Sequence, residues 1–418
     1  MPRTDADLIV DPDTYTSGVP HDALTRLRES NVVRIDDFWA VFRHEDVRTV
    51  LRTPSVFSSH CGATQIRDPR PGDLAYVQRM MLNQDPPSHT RLRRMLTRAF
   101  TPRAVALLED RIRANAREIV AGLSGDFAHD VADLPLLTLA DVFGVPRQDR
   151  ALLYDWSNRV IGFQDPEYAL SSSSTAGMTD MALQALELRP DDGRDPRARD
   201  GMPDLYAYAH ALGAHKRSHP SDDVVSNLMR EDLTLEEFEN LFWLFSVAGN
   251  ETLRNGIPGG MIALLSHPGE YARLRADRAL LPLAVEEMLR WWTPVMHFRR
   301  TCVRDTSLSG QEIRAGDKVV VWFSSANRDE RVFTDPHRFD VARREADHLS
   351  FGHGPHFCLG AQLARTQMRA IFDAVLDLPR VLELDGEISR LRSNFQNGVK
   401  HLPVTSAGRR APGSRASL

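Results

Sequence analysis

The stretch Phe351–Gly360 reads F-G-H-G-P-H-F-C-L-G, and helical periodicity follows it over about 359–378. Three glycines and a proline surround one cysteine, Cys358. A metal-bound thiolate in an apolar site needs backbone N–H groups turned toward it, because an unpaired buried charge is costly. Glycines let a tight loop supply those groups. The positive end of the following helix favours the thiolate as well. The plainer alternative is that Cys358 is a small buried hydrophobe beside a glycine-rich turn.

Outward from this loop, the rest of the chain narrows the choice. The other cysteines, Cys61 and Cys302, are far apart in sequence, so a disulfide framework is not expected and a reducing cytoplasm fits better. No C-x-x-C or H-E-x-x-H pattern suggests zinc. A net charge of −5 argues weakly against nucleic acid as a partner. The N-terminus lacks a signal-peptide pattern, and the most apolar stretch, 241–249, is too short to span a bilayer, so no membrane anchor is expected.

The chain reads as mostly helical. A strand running into a helix is expected from Phe38, a long loop over 56–80, and broken helices from about 88 to 160. Ser171–Ser174 and the polar run 189–203 read as loops, the latter a mobile one. Thr234 and Glu237 form a capping-box signature opening a helix over 234–257, which Pro258 should end or kink. Its apolar positions include Phe238, Leu241, Phe242 and Phe245. A helix over 282–292 precedes β-like runs at 298–303, 311–314 and 318–323, and a hairpin is expected over 390–405 around Asn397–Gly398. Residues 1–406 read as one domain, and the tail 407–418 as disordered.

Three further segments join the cysteine loop. They are E-E-M-L-R-W at 286–291, D-P-P-S-H-T-R-L-R-R from Asp85, and S-V-A-G-N-E-T-L from Ser246. Singly, each has a bland reading: a surface ion pair, a solvated basic helix, a glycine kink. Together they resemble the cytochrome P-450 family, whose cysteine loop has the form F-G-x-G-x-H-x-C-x-G. The resemblance runs from about residue 11 to 404. It implies a mainly α fold with small β-sheets (α+β), a triangular helix-rich body with a β-rich side.

The resemblance also implies haem b (iron protoporphyrin IX) ligated by Cys358. Phe351, Gly352 and Gly360 would shape the cysteine loop. His89, Arg93, Arg300 and His356 would meet the haem propionates, with Arg299 a rival to Arg300. Glu287, Arg290 and Arg338 would brace the loop, with Glu286 the competing register. Ala248 and Gly249 would leave room for dioxygen, while Thr252 and Glu251 would deliver protons, a pair that argues against the peroxide-using branch. Leu82, Phe242, Phe245, Val295, Met296 and Phe395, with Ala248, would line an apolar substrate pocket.

The expected activity is monooxygenation with O2. Electrons would come from a ferredoxin and its reductase, docked by arginines such as Arg91, Arg94, Arg98, Arg365 and Arg369. The substrate class implied is steroid, terpenoid or branched lipid, with natural-product tailoring equally open. Two departures stand out: the 189–203 loop is long, and Pro258 comes early. A haem-thiolate sensor without turnover and a haem-free helical binding protein are the rival readings.

Overall fold

The computed structural model describes residues 3–406 except 170, 173, 191–194 and 197. The tail 407–418 and part of the 189–203 run therefore lie outside the described residues. The described chain is mainly helical with small sheets. The largest sheet has five strands: β1 (Val32–Ile35), β2 (Phe38–Val41), β3 (Phe57–Ser58), β4 (His297–Cys302) and β5 (Lys318–Trp322). Their order is β1-β2-β5-β4-β3, with β2 and β5 parallel and the other pairs antiparallel.

Alternation along β5 explains why this sheet is stable. Val319 and Val321 face a cluster with Val47, Val50 and Leu51, while Val320 and Trp322 face Phe38, Ala40 and Phe42. The helix His44–Arg52 thus lies against the sheet, as the strand-into-helix pattern implies.

Eight helices carry the site: α1 (Ser88–Thr97), α2 (Pro102–Ala121), α3 (Arg150–Ile161), α4 (Pro203–Ser218), α5 (Leu235–Ala248), α6 (Glu251–Ser266), α7 (Leu281–Trp292) and α8 (Ala361–Asp377). One large apolar cluster joins them. The capping box at Thr234 and Glu237 forms in both directions.

Pro258 does not end its helix. It sits inside α6, which runs eight residues further, to Ser266. The missing N–H is tolerated because packing holds the helix on its neighbours: a Cβ at Gly259 would lie 2.1 Å from the Trp292 ring of α7. The actual interruption falls at Gly249–Asn250, between α5 and α6.

The expected Asn397–Gly398 turn is also different. Ser389–Arg390 pairs with Val399–His401, and a broad loop lies between them. Asn397 instead ties that loop to the end of α7. Its N–H donates to the Pro294 carbonyl at 2.8 Å, and its side-chain amide donates to the Trp292 carbonyl.

Candidate active site

The cysteine loop enters α8. Gly352 and Gly354 adopt φ of +68° and +71°, which L side chains rarely take. At Gly354 a Cβ would also meet the Leu51 carbonyl oxygen at 2.7 Å, so the loop leans directly on the helix His44–Arg52. The Cys358 N–H donates to the Phe351 carbonyl at 2.8 Å. Cys358 is itself exposed; desolvation by the protein packed around the loop pushes its thiol up, while the Gly360 backbone N–H and the charges of Arg93 and Arg365 pull it back. These are the groups that favour a thiolate. Phe351 lies under the Arg365 guanidinium, 4.5 Å from ring centroid to carbon.

Beside the loop is a cluster of nitrogen donors. The His89 and His356 rings are 4.1 Å apart. Arg93 donates to the Phe357 carbonyl at 2.7 Å. Arg300 is 2% exposed, and its Nη2 has no hydrogen-bond partner among the described residues. Burial lowers Arg300 to about 10, partly offset by Asp85. Burial, then the charges of Arg300, His89 and Arg93, hold His356 down to about 2. Asp85, the nearby carboxylate, is taken up by the Ser58 hydroxyl and the Ser59 N–H. The cluster is therefore rich in donors and short of acceptors, and a group carrying two carboxylates would fit it. Arg299 points elsewhere, to Asp68 at 2.6 Å and to the carbonyls of Ile66 and Arg67.

A cavity of about 230 Å³ opens beside α5 and α6. Of the residues proposed for the pocket, Leu82, Ala248, Val295 and Phe395 line it, and Thr252 does too. Phe242, Phe245 and Met296 do not. Phe242 packs against Phe143, Trp156 and Tyr208, and Phe245 against Phe100 and Phe143. Met296 is fully buried. The cause is clear: from Leu241 to Ala248, α5 is apolar on nearly all sides, so periodicity could not tell the core face from the cavity face. The cavity face carries Trp243, Leu244 and Val247.

Glu251 is the first residue of α6. It is fully buried and faces Arg254 at 2.6 Å, the Ser157 hydroxyl at 3.1 Å and the Asn255 amide at 3.0 Å. Arg254 in turn lies between the Tyr154 and Tyr168 rings. The Thr252 hydroxyl donates to the Ala248 carbonyl at 3.1 Å. Gly249 packs closely on a neighbour: a Cβ there would lie 2.8 Å from Leu139 Cδ1, which would have to shift.

Glu287 and Arg290 form the expected buried pair at 2.7 Å. The third member is Arg343, 3.0 Å from Glu287, and not Arg338. Arg338 is exposed and contributes its carbonyl, because the next residue, Phe339, takes the inward position. Glu286 is no competitor for the same partners. It binds Arg365 through two bonds, at 2.6 and 2.8 Å, and His348 at 3.1 Å. Sequence reading missed Arg343, although it follows the same segment by five residues.

The cavity mouth is charged. Arg67, Asp68, Arg70, Asp73 and Asp195 line it, and Arg67 pairs with Asp195 at 2.8 Å. The described part of the 189–203 run is thus docked over the cavity, with Ala198 and Met202 buried. Among the arginines expected to dock a partner, Arg91 is paired with Glu237 and Arg365 with Glu286. Arg369 donates to the Thr366 hydroxyl. Arg94 and Arg98 line an open groove with Pro86, Pro87 and Glu231.

Comparison with known proteins agrees with this geometry. Residues 215–390 match the family profile described as Cytochrome P450. A "Steroid C26-monooxygenase" of Rhodococcus jostii (strain RHA1) is 36% identical, over 94% of this chain and 83% of the relative. A "Methyl-branched lipid omega-hydroxylase" of Mycobacterium tuberculosis (strain ATCC 25618 / H37Rv) is 39% identical, over 88% and 83%. A Mycobacterium marinum cytochrome P450 solved in complex with pseudoionone superposes with a TM-score of 0.81, at 35% identity over 94% of this chain and 96% of that one.

Proposed function

The chain belongs to the cytochrome P450 family as a monooxygenase, and from that premise we propose that it oxidises a steroid, terpenoid or methyl-branched lipid with electrons from a ferredoxin and its reductase. One combination of observations carries this reading: a glycine-bent cysteine loop, an acceptor-poor cation cluster beside it, and a mainly apolar cavity on α5 and α6 lined by Ala248 and Thr252. Among the described residues, no helix is long and apolar enough to cross a membrane.

Cys358 would ligate haem iron, with His89, Arg93, Arg300 and His356 at its propionates, and the bound haem supplies the centre at which dioxygen is reduced. The chain's own work is positioning. Apolar walls from Val295, Phe298 and Phe395 exclude water and hold a hydrocarbon skeleton. The Thr252 hydroxyl, on the cavity wall, can leave the Ala248 carbonyl and hold a proton there. Glu251 can pass a proton only by loosening its contacts with Arg254, Ser157 and Asn255.

The test combines a spectrum with turnover. Reduced protein exposed to carbon monoxide should show the red-shifted band of thiolate-ligated haem. With a ferredoxin and reductase it should convert a steroid or methyl-branched lipid to an oxygenated product. Thr252→Ala should keep consuming electrons while product formation falls by about a hundredfold. Ligand binding without any turnover would return the sensor reading, and unchanged coupling would remove Thr252 from proton handling.

A further inference from the structure

The inner cavity wall has one conspicuous polar group that the reaction does not use. Gln396 is 2% exposed, and its Oε1 accepts no hydrogen bond among the described residues. Two other polar side chains of the inner wall, Asn83 and Thr252, have partners. Asn83 accepts from the Ala63 N–H and donates to the Val77 carbonyl, both at 2.9 Å, and Thr252 donates to Ala248. A buried acceptor without a donor is unfavourable, and its retention calls for a partner.

The backbone fixes where that acceptor sits. Gln396 and Val295 face each other in an antiparallel bridge, so their side chains lie on one side, and Val295 lines the cavity. The segment is pinned at both ends. The Phe395 and Gln396 N–H groups both donate to Ser393 Oγ at 3.1 Å, and the Asn397 N–H donates to Pro294. The terminal torsion of a glutamine is soft, so the carboxamide can turn its oxygen toward a ligand while its backbone stays fixed. The neighbours, Val295, Phe298 and Phe395, offer a ligand only apolar contact.

We propose that Gln396 determines substrate specificity by accepting a hydrogen bond from a hydroxyl group on an otherwise apolar substrate. This rests on the reading of the cavity as the substrate site. The oxygen recognised is thus an alcohol already present on the skeleton, held in the apolar interior and away from the charged mouth at Arg67, Arg70 and Asp195.

The test is equilibrium dialysis of the haem-loaded protein against two matched sets carried in cyclodextrin. One set is 5α-cholestan-3β-ol, 5α-cholestan-3-one and 5α-cholestane; the other is phytanol and phytane. In at least one set the wild type should prefer the alcohol to the hydrocarbon by roughly three- to tenfold, the value of one hydrogen bond. Gln396→Leu and Gln396→Met should abolish that preference and keep the affinity for the hydrocarbon, which also shows that the variants are folded. A preference unchanged in both variants overturns the proposal. So does a ketone that gains as much from Gln396 as the alcohol. If no member of either set binds the wild type, the substrate reading itself fails and this proposal goes with it.

Discussion

Glu287 sits in an environment that leaves its partners little freedom. Its carboxylate, shielded from water, meets both Arg290 and Arg343. Removing one partner of a buried pair leaves an uncompensated charge, which typically costs about 3–5 kcal/mol. Arg343→Ala leaves Arg290 on Glu287, so it should destabilise the fold by less than that, about 2 kcal/mol, while Arg338→Ala, whose carbonyl contribution is retained, should cost less than about 1 kcal/mol. Urea unfolding of the two variants checks the ranking, and equal losses would contradict the geometry. Arg290 also donates to the carbonyls of Asn327 and Pro336, so this one side chain holds together the segment leading to the cysteine loop.

Helix α7 is joined to α8 through Glu286 and Arg365, so the element that carries the brace is tied to the element that follows Cys358. Burial alone would raise the Glu286 pKa, but hydrogen bonds from Arg365 and His348 outweigh it and hold the group down to about 2, below the ordinary 4.5. A depressed carboxyl contributes stability that is complete above pH 4.5 and is lost as pH falls toward 2. Glu286→Gln should lose up to about 3 kcal/mol at pH 7 and show a shallower acid limb between these values. Urea midpoints measured across pH 2–7 test this, and parallel curves for the two proteins would refute it.

What sequence reading could recover at this scale follows from locality. The capping box at Thr234 and the helix after the cysteine loop are set by neighbouring residues and were legible. The fate of Pro258 was not, because Trp292 of another helix decides it. The cavity face of α5 was hidden for the same reason: which side of a helix apolar on nearly all sides meets solvent space depends on what packs opposite. Arg343 lies five residues beyond Arg338, and the turn that brings it inward is a tertiary outcome.

Across the whole molecule, the Arg67–Asp195 pair links the loop after β3 to the segment before α4 over the cavity mouth. The Arg67 side chain is 56% exposed, so the pair is weak and screened by salt. Arg67→Ala should speed ligand association by roughly two- to fivefold at low ionic strength, consistent with an exposed pair. Stopped-flow binding would record this, and the difference should shrink as salt is added. A variant that associates no faster would show that the pair does not control entry.

The contact between Gly354 and the Leu51 carbonyl has a consequence for how the protein is made on the ribosome. A partner of the same interface, His44, meets the Asp347 carbonyl 303 positions later in the chain. At about 5–20 residues per second, synthesis of that interval takes roughly 15–60 s. The helix His44–Arg52 therefore has no C-terminal counterpart to pack against until translation is nearly finished. A transcript cut short before Gly354 lacks the loop against which the Leu51 end of that helix packs.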